Sequence, residues 1–153
     1  VWQHTNTLPN PNNNRVFKVR RYAHHLWLDN NYISATTGGS LNIHMEAGTD
    51  QAGRSFVLAA SASGTSPGTT IPGTGLTVPL NRDFVTEFIL NNLNSPSLTG
   101  FAGNLDSEGS ADALLDTLGP LPPALANRTI HFAFVLTNPA DFASNPMAVG
   151  IVP

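Results

Sequence analysis

The stretch that most constrains the fold is residues 55–79, SFVLAASASGTSPGTTIPGTGLTVP, which carries no charged side chain. Its two ends are apolar runs typical of strands, and its middle is rich in Gly, Pro, Thr and Ser, which favour turns. Short apolar runs interrupted by Gly, Pro and Asn recur along the whole chain. This pattern favours many short strands and predicts an all-β fold.

The composition is unusually poor in charge. Charged residues make up 11% of the 153 residues, against about a quarter in typical domains. The chain has no cysteine, but a single domain of this size buries about two thirds of its unfolded surface and does not need disulfides. We interpret Val1 as the start left by processing a precursor and expect an extracellular or cell-surface protein. We expect no membrane insertion, because no apolar run reaches the length of a spanning helix.

Alternating side chains identify the strands. In residues 40–46 the apolar Leu41, Ile43 and Met45 share one face, as expected of a half-buried strand. Similar runs at the observed spacing predict a β-sandwich of about eight or nine short antiparallel strands. The turn DSEG at 106–109 predicts a hairpin between its flanking strands.

One segment has helical spacing instead. Phe84, Val85, Phe88 and Ile89 recur at the period of a helix, and Asp83 precedes them as a suitable N-cap. We therefore expect at most one short helix near residues 83–93.

The charges divide the chain into two parts. Residues 1–32 hold four basic residues and one carboxylate, whereas the remainder holds three arginines and nine carboxylates. We predict an extended basic N-terminal arm over residues 1–33 and a β-sandwich domain over residues 34–153. Such an arm can dock on the acidic body of another copy. The residues expected to make this contact between subunits are Trp2, Leu8, Arg15, Phe17, Lys18, Arg20 and Arg21.

Several turn motifs follow one another in a familiar order over residues 34–153. They include TGG at 37–39, AGR at 52–54, SGTSPG at 63–68, GNLD at 103–106, IHFA at 130–133 and FASNP at 142–146. Their order resembles a module at the carboxy-terminal end of large secreted proteins of planctomycete-type bacteria. The resemblance implies an extracellular β-rich accessory domain and carries no functional residues over.

Motifs for catalysis are weak. The sequence GTSPG at 64–68 matches the G-x-S-x-G pattern of hydrolases. Pro67, however, has no N–H to serve as the oxyanion donor that this motif requires, so a turn is the better interpretation. We predict a protein that is not an enzyme and has no catalytic residues, and a small metal-dependent hydrolase is the least favoured alternative.

Motifs for metal binding are equally weak. The five histidines lack the spacing of a metal site, and the adjacent His24 and His25 would point to opposite faces of a strand. Asp106, Glu108 and Asp112 resemble part of a calcium loop, but Gly109 comes fourth, where the loop pattern needs it sixth. We expect no cofactor, and a loop calcium remains the alternative.

Aromatic residues suggest the remaining partners. Basic and aromatic residues alternate in residues 15–22, as in single-strand nucleic-acid binders, but the acidic net charge argues against nucleic acid. Tyr22, Trp27 and Tyr32 could stack on a sugar. The first hypothesis is a non-catalytic extracellular structural protein that self-assembles into a filament or surface array. The alternative is an accessory carbohydrate- or surface-binding module released from a larger secreted enzyme.

Overall fold

The structure is a computed structural model that describes residues 2–6, 17–21 and 25–153. Strands dominate the described residues, with α1 (Phe84–Asn91) as their one α-helix and 3₁₀ turns at Thr49–Gln51 and Pro123–Leu125. This confirms the all-β prediction. The strands are β1 (Trp2–Asn6), β2 (Phe17–Arg21), β3 (Leu26–Leu28), β4 (Tyr32–Ser34), β5 (Ser40–Glu46), β6 (Ser55–Ser61), β7 (Thr69–Thr70), β8 (Thr77–Val78), β9 (Leu98–Thr99), β10 (Ala102–Asn104), β11 (Ser110–Asp116), β12 (Thr129–Leu136), β13 (Phe142–Ala143) and β14 (Met147–Val152).

Two sheets form the body in a sandwich-like arrangement. The six-stranded sheet has the order β10-β6-β12-β14-β4, with β13 beside β12, and the four-stranded sheet has the order β3-β5-β11-β9. Apolar side chains from both sheets and from α1 make one continuous core. The predicted count of eight or nine strands is not confirmed, because the described residues form fourteen, several of two or three residues.

The predicted alternation of β5 is confirmed, since Leu41, Ile43 and Met45 are at most 1% exposed. The strand β12 buries both of its faces. Its inner residues face the core, and its outer residues Ala133 and Val135 pack under Val78, at the end of the uncharged stretch, and under Leu80, just after it. The end of the stretch therefore folds back over the outer face of the six-stranded sheet. This burial explains its lack of charge, because a buried charge without a partner is costly.

Two pairing predictions are wrong. The strand β4 runs parallel to β14, with Ile33 opposite Ile151, although all strands were expected to be antiparallel. These two strands are far apart in the chain, so no tight turn fixes their relative direction.

The strands β10 and β11 form no hairpin: β10 pairs with β6 and β11 pairs with β5. The turn at 106–109 thus connects the two sheets.

The N-terminal region, over which we predicted an extended basic arm, contains strands in the described residues. The structure pairs β1 with β2 antiparallel, from Trp2 opposite Arg21 to Asn6 opposite Phe17, as a two-stranded sheet. The strands β3 and β4 already belong to the two main sheets. The division into an arm and a domain at residue 33 stays a prediction. Leu8, Arg15 and Tyr22 lie outside the described residues.

The helix α1 confirms the single helix predicted near residues 83–93, with Asp83 as its N-cap. One oxygen of the Asp83 carboxylate accepts hydrogen bonds from the N–H groups of Val85 and Thr86. The other accepts from the end of β6 and the following loop: the N–H groups of Ala62 and Ser63, both at 2.7 Å, and the hydroxyls of Ser61 and Ser63. A single carboxylate therefore joins β6 to α1.

This carboxylate makes stability depend on pH. Burial raises the pKa of Asp83, but hydrogen bonds from Ser63, Thr86, Ser61 and Ala62 outweigh burial and lower the pKa from 3.8 to about 2. Because the folded-state pKa lies below the unfolded one, the stabilisation is complete above about pH 5 and is lost as the pH falls towards about 2.

We expect Asp83→Asn to lower the free energy of unfolding by about 1–3 kcal/mol at neutral pH.

The difference between wild type and Asp83→Asn should shrink as the pH falls through that window. Urea unfolding at a series of pH values measures it, with Asp50→Asn as the control, because Asp50 is exposed. A difference that stays constant with pH would contradict the role given to the carboxylate.

The turn between the sheets requires glycine. Gly109 has a φ of 76°, and a Cβ added there would lie 1.8 Å from the carbonyl oxygen of Gly48. We expect Gly109→Ala to destabilise the protein by about 2–5 kcal/mol. Gly53 has a φ of 74° with open space around it, so Gly53→Ala should cost only about 1 kcal/mol. Thermal or urea unfolding compares the two, and equal losses would rule out the close approach as the cause.

Candidate functional site

The outer face of the four-stranded sheet carries a row of three side chains, one from each of three adjacent strands. The pairing register places Trp27 of β3 opposite His44 of β5, and His44 opposite Asp112 of β11. The Trp27 and His44 rings stack with their centroids 5.6 Å apart and their planes 23° apart. The His44 Nδ1 lies 2.6 Å from the Asp112 carboxylate. We call Trp27, His44 and Asp112 the outer row.

The alternation of the strands explains why the outer row is exposed. Leu26, on the preceding position of β3, is fully buried, so Trp27 projects from the opposite face and is 39% exposed. Because β3 is an edge strand, His44 lies on one side of the indole, and no strand among the described residues pairs with β3 on its other side. The exposed part of the indole can therefore contact a ligand.

Carboxylates and an amide surround the outer row. The Asn42 side chain donates a 2.6 Å hydrogen bond to Asp29, and this bond holds the pKa of Asp29 below its usual value. The Asp112 side chain is 80% exposed, and Glu46 lies on the same face of β5. The face thus combines one flat apolar ring with several hydrogen-bond acceptors.

A second constellation involves His131, which lies opposite Ser61 in the pairing of β12 with β6. Ser61 is fully buried and donates its hydroxyl hydrogen bond directly to Asp83, while the buried Nδ1 of His131 has no hydrogen-bond partner. A nucleophilic triad needs the histidine between the serine and the carboxylate. This order of contacts therefore supports a structural role for Ser61.

The residues that match the hydrolase and calcium-loop motifs make hydrogen bonds within the protein. The carbonyl oxygen of Ser66, in the G-x-S-x-G match, accepts a hydrogen bond from Asn81. In the calcium-loop match, Asp106 accepts hydrogen bonds from the N–H groups of Glu108 and Ser110, both at 2.9 Å, and Asp112 contacts His44. Within residues 25–153, where side chains are described, no group of three His, Asp or Glu residues could hold a metal ion.

Of the three residues predicted to stack on a sugar, the two that the structure describes lie on different sheets. Trp27 lies on the four-stranded sheet and Tyr32, which is 53% exposed, lies on β4 of the six-stranded sheet. Tyr22 falls outside the described residues. The sequence did not predict that His44 and Asp112 would lie in one row with Trp27. Alternation assigned His44 to the polar face of its strand, but the strand order that joins the three residues cannot be read from a single chain.

The second feature is an apolar cleft at one end of the body, between α1 and residues 117–125, with a volume of about 390 Å³. Core residues of both sheets form its floor, including Leu98, Phe132 and Val149, which are at most 2% exposed. Phe84 and Phe88 of α1 line its mouth and are 64% and 57% exposed. We call this hollow the end cleft. The helical stripe of the sequence predicted α1 but did not reveal the cleft.

Comparison of the chain with protein-family models, curated proteins and solved structures finds no significant match. Among the described residues, no helix is both long and apolar enough to span a bilayer.

Proposed function

We propose that this chain is a non-catalytic extracellular module that binds polysaccharide on the outer face of its four-stranded sheet. The observation that carries the proposal is the outer row, in which an exposed Trp27 ring lies beside His44 and the exposed Asp112 carboxylate. The resemblance to secreted bacterial modules supports the extracellular location.

The chemistry of the face suits a sugar ring. The C–H groups on one side of a pyranose pack on an indole, and hydroxyl groups at the ring edge donate to carboxylates. Asp29 and Asn42, and Asp112 beyond His44, supply such polar groups around the outer row. An open sheet face also lets a long glycan extend beyond the one ring that is bound, which favours a polymer over a free monosaccharide.

The proposal predicts that Trp27 dominates binding. A glycan array with the wild-type protein identifies the ligand, and isothermal titration calorimetry with the best glycan gives the affinity. We expect Trp27→Ala to weaken binding about tenfold or more, because the stacking surface is lost. Trp27→Phe should keep part of the affinity.

Tyr32→Ala is the matched control, because Tyr32 is an exposed aromatic residue on the other sheet. Its affinity should equal that of the wild type. Binding that survives Trp27→Ala, or that depends on Tyr32 instead, would contradict the assignment of the ligand to the outer row.

Self-assembly through the N-terminal region is the second candidate. The observation that favours it is the two-stranded sheet of β1 and β2, which shares no pairing with the main sheets in the described residues. A two-stranded sheet is marginally stable in water and gains stability by docking on another surface. The basic residues Lys18, Arg20 and Arg21 of β2 suit the acidic body of a neighbouring copy.

Light scattering at increasing protein concentration tests this second candidate. If other copies of the chain are the partners, the wild type should form large assemblies, and Arg20→Glu with Arg21→Glu should reduce their mass because the charge attraction reverses. Arg128→Glu controls for the change in net charge when it is compared with Arg20→Glu alone, which changes the net charge equally, since Arg128 is exposed on the body. A wild type that stays monomeric at all concentrations would argue against assembly.

A further inference from the structure

The end cleft is too deep and too apolar to be an ordinary packing gap. Protein interiors are close-packed, and voids larger than a water molecule are few. Here a hollow of about 390 Å³ reaches the core floor at Phe132 and Val149. Its size and apolar lining match those of cavities that enclose small ligands.

Two of the three polar side chains that line the end cleft, Asp116 and Thr117, are already engaged. The Asp116 carboxylate accepts a hydrogen bond from the N–H of Leu118, and the Thr117 hydroxyl donates to the carbonyl of Gly119 and accepts from the N–H of Gly39. A ligand that needs many hydrogen bonds would therefore lose those that it makes with water and gain few in return. The occupant must be mainly hydrocarbon.

The charge of the cleft lining restricts the head group that the ligand can carry. Among the described residues that line the end cleft, Asp116 is the one that carries a charge, and it is acidic. An anionic head group placed beside it would be repelled, and a cationic one attracted. The depth of the floor also favours a narrow chain, since the occupant has to pass between α1 and residues 117–125 to reach it.

We propose that the end cleft binds an alkyl chain whose head group is not anionic. The chain lies on the core floor between the two sheets, and Phe84 and Phe88 cover it at the mouth. The head group remains near Asp116. This site is separate from the outer row, because it lies at the end of the sandwich, whereas the outer row lies on the exposed face of one sheet.

Three probes with the same alkyl chain test the proposal: octanol, octyltrimethylammonium and octanoate. Isothermal titration calorimetry with the full chain should show that octanol and octyltrimethylammonium bind, and that octanoate binds about two- to fivefold more weakly at neutral pH. In Asp116→Asn, which keeps a hydrogen-bond acceptor for Leu118, octanoate should bind as well as octanol. Equal binding of all three probes to the wild type would overturn the charge argument.

Substitutions at the mouth locate the site. Phe88→Ala should weaken octanol binding about tenfold, and Phe84→Ala serves as a second variant on the same wall. Leu90→Ala is the control, because Leu90 is also exposed on α1 but lines a different hollow. Octanol binding that is unchanged in both phenylalanine variants would overturn the proposal. A dimer that dissociates in Phe88→Ala would also overturn it, since a second copy would then be the occupant.

Discussion

The Asp83 carboxylate is the interaction on which the rest of the body depends. It holds the N-terminus of α1 against the end of β6, through acceptor bonds to both segments. The Thr86 hydroxyl adds a bond to the carbonyl of Ala60, so the helix also covers the part of β6 that β10 does not reach. Because α1 is one wall of the end cleft, the hydrogen bonds of Asp83 at the N-terminus of α1 also fix the position of the cleft.

A related device, with asparagine in place of aspartate, recurs at two other places where the chain leaves a sheet. Asn145 accepts from the N–H groups of His25 and Leu26 and so attaches β3 to the loop before β14. Asn81 bonds to the backbone of Ser63, Ser66 and Gly68 and closes the long uncharged loop. Short neutral side chains satisfy backbone groups in this way at little cost in desolvation. This explains how the chain remains ordered with so few charges.

The parts of the fold that depend on local pattern could be predicted from the sequence. The alternation in residues 40–46 and the capped stripe after Asp83 correspond to β5 and α1. The parallel pairing of β4 with β14, and the separation of β10 from β11, depend on contacts between residues far apart in the chain. The outer row also depends on contacts between residues far apart in the chain. Trp27 could be chosen as an exposed aromatic residue, but its neighbours His44 and Asp112 come from two other strands.

Two surfaces with different chemistry thus lie on one small body: an open, polar face with one aromatic ring and a narrow hydrocarbon cleft. The most direct test of polysaccharide binding is ¹H–¹⁵N nuclear magnetic resonance of the labelled protein during titration with short oligosaccharides of several linkage types. If polysaccharide binds at the outer row, one of these oligosaccharides should change the chemical shifts of the Trp27 indole N–H and of the amides of His44 and Asp112. Changes confined to α1 and residues 117–125, or none with any oligosaccharide, would contradict binding at the outer row.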